Sequence, residues 1–395
     1  MASLPNGLPI VSDRRASPLP ALGALVAGAA AVLGLLLAEQ QWEVATLAIV
    51  GALALLIGGK LGWGEVIHRS ATDHHRWITP VAWLTAALVI FGLREHNFEL
   101  LMLCTVMLYM VAGLGLTVQF GYTGVVNFAA AAFMGVGAYT AAVLLLHTGL
   151  PHVLVILAGG LVSAVIGSVL LLPLLRTRGH YAALITIAFG ILFRTFLEVN
   201  DTLGGPQGLK VPGMEWFGLV FNDAIEIDDE TEWSFYLRYA GLCLVLLFFA
   251  YHFVRRLERS WLGLSLDAVR LDETAASAFG LNGAAWKIVA FSIGNFLAGM
   301  AGAVYAMVTA FIAPASFTFG DSLILVSIVI LGGLGNPLGL LPAALIVVVL
   351  PEKLQVIQEY RFLLFAALVI AILLVRPGGL IPRRARDYFP GAGGR

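Results

Sequence analysis

Apolar residues in this chain gather into long runs separated by short polar segments. The runs cover Leu19 to Ala38, Val44 to Gly59 and Ile78 to Leu93, then, from Phe98 onward, 98–119, 125–146, 151–175, 181–199, 236–254 and 286–308. A Gly-interrupted pair, 322–335 and 338–350, and a last run at 363–375 complete the series. A helix needs roughly 20 apolar residues to cross the hydrocarbon of a bilayer. The pattern predicts an all-α polytopic membrane protein of about 10 to 12 transmembrane helices or half-helices, some broken at Gly.

The longest polar interruption of the apolar second half is Arg255 to Lys287. From Leu264, the apolar positions Ala268, Leu271, Ala275 and Ala278 recur at steps of four and three, while Asp267, Arg270 and Glu273 point elsewhere. Gly280 stands where a helix C-terminal cap would. The spacing predicts one amphipathic helix of about four turns, over about 264–280. It fits an idle interfacial helix or a helix on which a soluble partner pushes.

Composition agrees with the runs. Hydrophobic residues are 59% of 395, charged residues 12%, and mean hydropathy is +0.91, too few charges for a soluble core of this size. A net charge of −1 argues against nucleic acid as a partner. Cys104 and Cys243 lie inside apolar runs and make no disulfide framework. Arg14 and Arg15 precede the first run as in a signal peptide, but that run approaches spanning length and more follow. Alternating sides from a cytoplasmic N-terminus places 17 Lys and Arg residues inside and 5 outside, a strong positive-inside bias. It puts 60–77, 255–286 and the tail after Arg376 in the cytoplasm.

Nothing reads as an enzyme. There is no Gly-x-x-x-x-Gly-Lys-Ser/Thr phosphate loop, no Gly-x-Ser-x-Gly elbow and no His-Glu-x-x-His. His68, His74 and His75 lack the spacing and carboxylate partners of a ligand set, so no metal, cofactor or catalytic residue is expected. Arg194 and Glu198, four residues apart, can neutralise each other near the end of a span. Gly299 and Gly302 with Ala298, Ala301 and Ala303 form a small-residue packing face. Within Gly113 to Tyr139, Gly121 and Gly124 with the polar Gln119, Tyr122, Thr123 and Asn127 interrupt a span. Non-helical backbone at membrane depth must be buried in protein or line a wet cavity, and small residues also serve close helix packing. Both readings stay open on spacing alone.

Several blocks carry a resemblance. Arg270-Leu-Asp-Glu-Thr-Ala-Ala-Ser-Ala-Phe-Gly280, then Phe291-Ser-Ile-Gly-Asn-Phe-Leu-Ala-Gly-Met-Ala-Gly-Ala-Val-Tyr305, is similar to the coupling region of ABC-importer permeases. Gly121-Tyr-x-Gly124 followed by Ala132-Phe-x-x-x-Gly-Ala-Tyr139, Leu175 to Gly190, Gly204-Gly-Pro-Gln-Gly-Leu209, Gly332 to Gly339 and Arg376-Pro-Gly-Gly-Leu380 fit the same group. From about Phe98 to Pro382 the chain resembles the M-type (LivM-like) permease family of branched-chain amino acid ABC importers. It departs at Ala129-Ala130, where many members carry Gly-His, at Ile191, where many carry Glu, and at Pro337 and Pro342, which flank the usual Pro position.

The resemblance implies a permease core at 98–382, preceded by an N-terminal tail with extra helices (1–97) and followed by a cytoplasmic tail (383–395). It implies a multi-pass subunit of the cell inner membrane, surrounded by lipid. Its partners would be two ABC ATPase subunits, a second permease in a heterodimer, and a periplasmic or extracellular substrate-binding protein. The substrate would be a branched-chain or related amino acid, moved by alternating access. Asp272, Glu273, Ala275, Ala276, Phe279 and Gly280 would couple to the ATPase, and Gln119, Gly121, Tyr122, Thr123, Gly124 and Asn127 would border the substrate pathway. A urea or short-amide importer permease is the nearest alternative. An ion-coupled secondary transporter would need an ionisable residue near the centre of a span.

Overall fold

The computed structural model of the protein describes residues 17–38, 40–44, 46–47, 50–51, 54, 70, 74–175, 181–216, 218–223, 225–228, 231–354, 360, 363, 367, 370, 378–381 and 383. The runs expected at 44–59 and 363–375, the N-terminal tail, the turn at 176–180 and the tail after 383 lie wholly or largely outside these residues. The chain divides into two compact units, 1–89 and 90–395. The first contains α1 (Leu19–Leu37), whose Leu19 and Val26 are exposed, and most of α2 (His75–Gly92), within which the division falls.

The second unit is a helical bundle. Its spanning elements are α3 (Asn97–Leu116, extended by a wider π turn over Thr117–Tyr122), α4 (Ala130–His147), α5 (His152–Leu174) and α6 (Tyr181–Val199). After these come α7 (Tyr236–Arg259), α8 (Trp261–Leu271), α9 (Glu273–Ala278), α10 (Gly283–Thr309) and α11 (Phe319–Gly332). A short α12 (Leu340–Ala344) continues through a π turn to Lys353. Among the described residues, seven helices are long and apolar enough to cross a membrane, and α6 with its bent continuation makes an eighth. The architecture is that of an all-α polytopic membrane protein.

The centre of the bundle is α10, which packs against α3, α4 and α5. Glycines permit this. A Cβ at Gly115 would collide with the Gly294 carbonyl, one at Gly137 with the Gly299 backbone, and one at Gly302 with Met134. Without a hydrophobic drive between helices in lipid, such close backbone approach supplies the dispersion contact that holds them. Helix α3 is buried on nearly every side, from Leu100 through Leu116, as an all-round apolar helix should be. By contrast, α5 leaves Leu154, Leu161, Val165 and Val169 exposed, as a lipid-facing surface requires.

At one end of α7 the polar segment 200–235 folds into short hairpins. Glu215–Trp216 pairs with Leu219–Val220, Ile225–Asp228 pairs with Thr231–Trp233, and Leu209–Lys210 pairs with Phe311–Ile312 beyond α10. At the other end lie α8 and α9. The expectation of a single four-turn helix over 264–280 is corrected here. Asp272 leaves helical geometry (φ −156°, ψ 105°), and its Oδ1 accepts from the N–H groups of Thr274 and Ala275 at 2.9 and 3.0 Å. Its short side chain offers the backbone a competing partner, so one helix becomes two with Asp272 capping the second.

Candidate functional site

The broken stretch begins where α3 widens. Thr117 and Thr123 hydroxyls donate back to the carbonyls of Gly113 and Gln119, at 2.8 and 2.6 Å. Gly124 then takes φ +71°, a left-handed conformation that ends the helix. The backbone runs non-helically through 124–129, and α4 starts at Ala130, five residues later than the apolar run suggested. The freed backbone groups find side chains on other elements. Phe128 N–H donates to Thr186 Oγ1 of α6 at 3.1 Å, and Ala131 N–H to Ser322 Oγ of α11 at 3.1 Å. Ala129 N–H donates to Asn127 Oδ1 at 2.9 Å, an Asx-type turn.

Three amides tie this break to α10. Gln119 Nε2 donates to Asn295 Oδ1 and to the Phe291 carbonyl, both at 3.0 Å. Asn127 Nδ2 donates to Gln119 Oε1 at 2.9 Å and to Asn295 Oδ1 at 3.2 Å. All three side chains are essentially buried. Asn295 lies twelve residues into the 27-residue α10, about 18 Å along a helix of about 40 Å, so the cluster sits at mid-depth. Asn295 Nδ2 has no hydrogen-bond partner among the described residues and lies where a Cβ on Gly167 of α5 would fall.

Gln119, Gly121, Tyr122, Thr123 and Asn127, expected along a pathway, are thus brought together and buried, and only Gly124 of that set is exposed. In this conformation the polar atoms of Gln119, Thr123 and Asn127 turn toward one another. Beside them Leu116, Phe120, Val326, Val329 and Ile330 close together over an apolar dimple too small to admit water.

The residues expected to couple to a partner sit at the end of the bundle. Asp272 caps α9, and Gly280 (φ +83°) closes it. Leu281 N–H donates to the Ala276 carbonyl and Gly280 N–H to that of Ser277, both at 3.0 Å, the paired pattern of a left-handed helix stop. Ala276 is buried, Ala275 and Phe279 are exposed, and Phe279 at 88% is the most exposed large apolar side chain among the described residues. Glu273 pairs with Lys287 Nζ at 2.6 Å.

Between the two regions lies a group that sequence reasoning missed. Arg383 donates from both Nη atoms to the two oxygens of Asp267 on α8, at 2.7 and 2.8 Å. Its Nε lies 3.8 Å from Glu258 Oε1 on α7, which also pairs with Arg255 at 2.9 Å. Nη1 donates to the Gly121 carbonyl at 3.4 Å, and Cζ stands 4.7 Å from the Tyr122 ring centre. The three side chains are 10–12% exposed. A Cβ on Gly124 would meet Cγ of Arg270, also on α8. The available signal was a pair of acids, Glu258 and Asp267, among the arginines of 255–270.

Comparison with known proteins agrees with the geometry. Residues 100–373 match the family described as branched-chain amino acid transport system / permease component. The chain is 34% identical over 292 residues to the high-affinity branched-chain amino acid transport system permease protein LivM of Salmonella typhimurium, covering 70% of this chain and 68% of the relative. The Escherichia coli protein of the same description gives the same figures. The probable branched-chain amino acid transport permease protein LivM of Methanocaldococcus jannaschii is 25% identical over 326 residues, 70% of this chain and 91% of the relative. No solved structure gives a significant match.

Proposed function

The chain belongs to the branched-chain amino acid transport system permease family, and on that premise we propose that it forms the membrane path for a branched-chain amino acid in an ATP-driven importer. It pairs with a second permease, receives substrate from an external binding protein, and is driven by two separate ATPase subunits. The end carrying α8, α9, residues 378–381 and Arg383 faces the cytoplasm of a cell whose inner membrane holds the bundle. Residues Gln119 to Asn127 border the route.

One observation carries this reading: α8 is seated directly on the broken span, through Asp267 to Arg383 to the Gly121 carbonyl, and through Arg270 beside Gly124. A push on α8–α9 therefore reaches the one stretch of α3 and α4 that is free of helical hydrogen bonding, without crossing the rigid bundle. The polar side chains that hold the break at mid-depth are amides, Gln119, Asn127 and Asn295. An ion-coupled carrier would place an ionisable group there.

The test is uptake by liposomes that contain the complete set of subunits. Labelled leucine, isoleucine or valine accumulates only with ATP, and this chain alone neither hydrolyses ATP nor concentrates substrate. Accumulation by the chain alone, driven by a proton or sodium gradient, overturns the reading. Preferential accumulation of urea or a short amide by the complete complex moves the substrate class.

A further inference from the structure

We propose that Arg383 is a latch that joins α8 to the break in α3 and so sets how much of each ATP-driven movement reaches the transport path. The inference rests on the reading of α8–α9 as the surface on which the ATPase pushes. Arg383 is a positioning residue, since its guanidinium is taken up by three elements of the chain itself.

Its contacts divide in two. Toward α7 and α8 it makes a forked pair with Asp267 and a longer one with Glu258, both nearly out of water. Toward α3 it meets the Gly121 carbonyl and the face of the Tyr122 ring, at the C-terminal end of a helix where unpaired carbonyls concentrate negative potential. A guanidinium suits both jobs at once: a planar fork for a carboxylate, a flat cation for an aromatic face, and further donors for a carbonyl. A lysine ammonium is a point charge and cannot hold both sides in one geometry.

The segment that presents Arg383 is itself fixed. Leu380 and Ile381 N–H groups donate to the carbonyls of Leu331 and Gly332 at the end of α11, at 2.8 and 3.2 Å. Asn336 Nδ2 donates to the Ile381 carbonyl at 3.1 Å. A Cβ on Gly335 would collide with Cδ of Arg383, so the side chain crosses a glycine to reach its partners. The arginine thus leaves a braced strap on α11, and movement of α8 relative to that strap must load the Gly121–Tyr122 contact or break it.

The experiment compares substrate accumulated per ATP hydrolysed in liposomes carrying the whole transporter, for the wild type, Arg383→Met, Asp267→Asn and the double variant. The expected loss is about ten-fold in that ratio for each single change, within the usual span of coupling between linked sites. The double variant is no worse than either single one, because both remove the same contact. ATPase co-purification stays at the wild-type level throughout. Asp267→Asn keeps the side-chain volume, so it stands in if Arg383→Met fails to accumulate. Wild-type ratios in the single variants, or losses that multiply in the double, overturn the latch. A Phe279→Asp control separates the two ideas. If it loses the ATPase while Arg383→Met transports normally, the docking reading survives and the latch falls. If it keeps both the ATPase and coupling, the docking reading itself falls.

Discussion

The break in α3 is braced from two sides by different chemistry. At mid-depth, Gln119, Asn127 and Asn295 hold it with neutral amides, each nearly without solvent contact. At the end of the bundle, Asp267, Glu258 and Arg383 hold it with full charges, at 10–12% exposure. Desolvating an ion costs several times more than desolvating an amide. Charge is therefore affordable only near the bundle's end, where each carboxylate has two basic neighbours: Arg255 and Arg383 for Glu258, Arg270 and Arg383 for Asp267. The amides can part and re-pair without leaving a naked charge. The charged group instead holds a defined register between elements.

The largest effect follows from removing a charge. Asp267→Ala takes from Arg383 its forked partner and from Arg270 its acid, leaving Arg383 to share Glu258 with Arg255, and breaking a buried pair on one side costs about 3–5 kcal/mol. The unfolding midpoint of the purified complex in detergent should fall clearly, by more than for any amide variant. An equal or smaller fall would mean that water reaches the cluster and that the two regions do not differ as described. Next comes Gln119→Leu, which deprives Asn127 and Asn295 of their shared partner at a cost of about 2 kcal/mol. It should lower both the midpoint and uptake. A stabilised variant with intact uptake would show that the amides only pack.

How far the sequence shows these features depends on the range of the contact. Gly280 was legible because a helix stop is local, and Gln119, Gly121 and Asn127 because polar groups and glycines stand out in an apolar run. The helical bundle was legible for the same reason. The unbroken helix expected over 264–280 failed at one residue: apolar spacing carries no record that Asp272 will turn its carboxylate onto its own backbone. Asn295 was visible as a lone amide between Gly294 and Phe296, but its partners are 168 and 176 residues away. Arg383 lay in a basic tail that the positive-inside rule already accounted for, and nothing in spacing points to an acid 116 residues earlier.

Between the two braces lies Gly124, and its replacement separates route from scaffold. A leucine there must adopt φ +71°, a strain of about 1–2 kcal/mol, in an exposed position beside Arg270. That is too small to unfold the bundle. If the stretch borders the route, Gly124→Leu should cut uptake by about ten-fold, the rate equivalent of such an energy, while the ATPase still co-purifies. Loss of the ATPase together with transport would assign the stretch to packing, and normal uptake would remove it from the route.

The smallest effect belongs to the other acid–base contact of the same end, and it tests whether depth or charge alone separates the regions. Glu273 and Lys287 meet at 2.6 Å, as close as Asp267 and Arg383, but the Glu273 side chain is 55% exposed against 10% for Asp267. Water solvates both ions when an exposed pair is broken, so such contacts contribute about 1 kcal/mol or less and are screened by salt. Glu273→Ala should therefore shift the unfolding midpoint little, and what shift there is should vanish at high ionic strength. Its effect on ATPase co-purification should be smaller than that of Phe279→Asp, since a buried apolar anchor outweighs a rim charge. The deficit from Asp267→Ala should persist in salt, because ions do not enter the space between α8 and Arg383. Two carboxylates on neighbouring helices, each with a basic partner, would then differ in salt response through burial alone. A salt-resistant loss from Glu273→Ala would show instead that a docked partner covers this pair and takes it out of water.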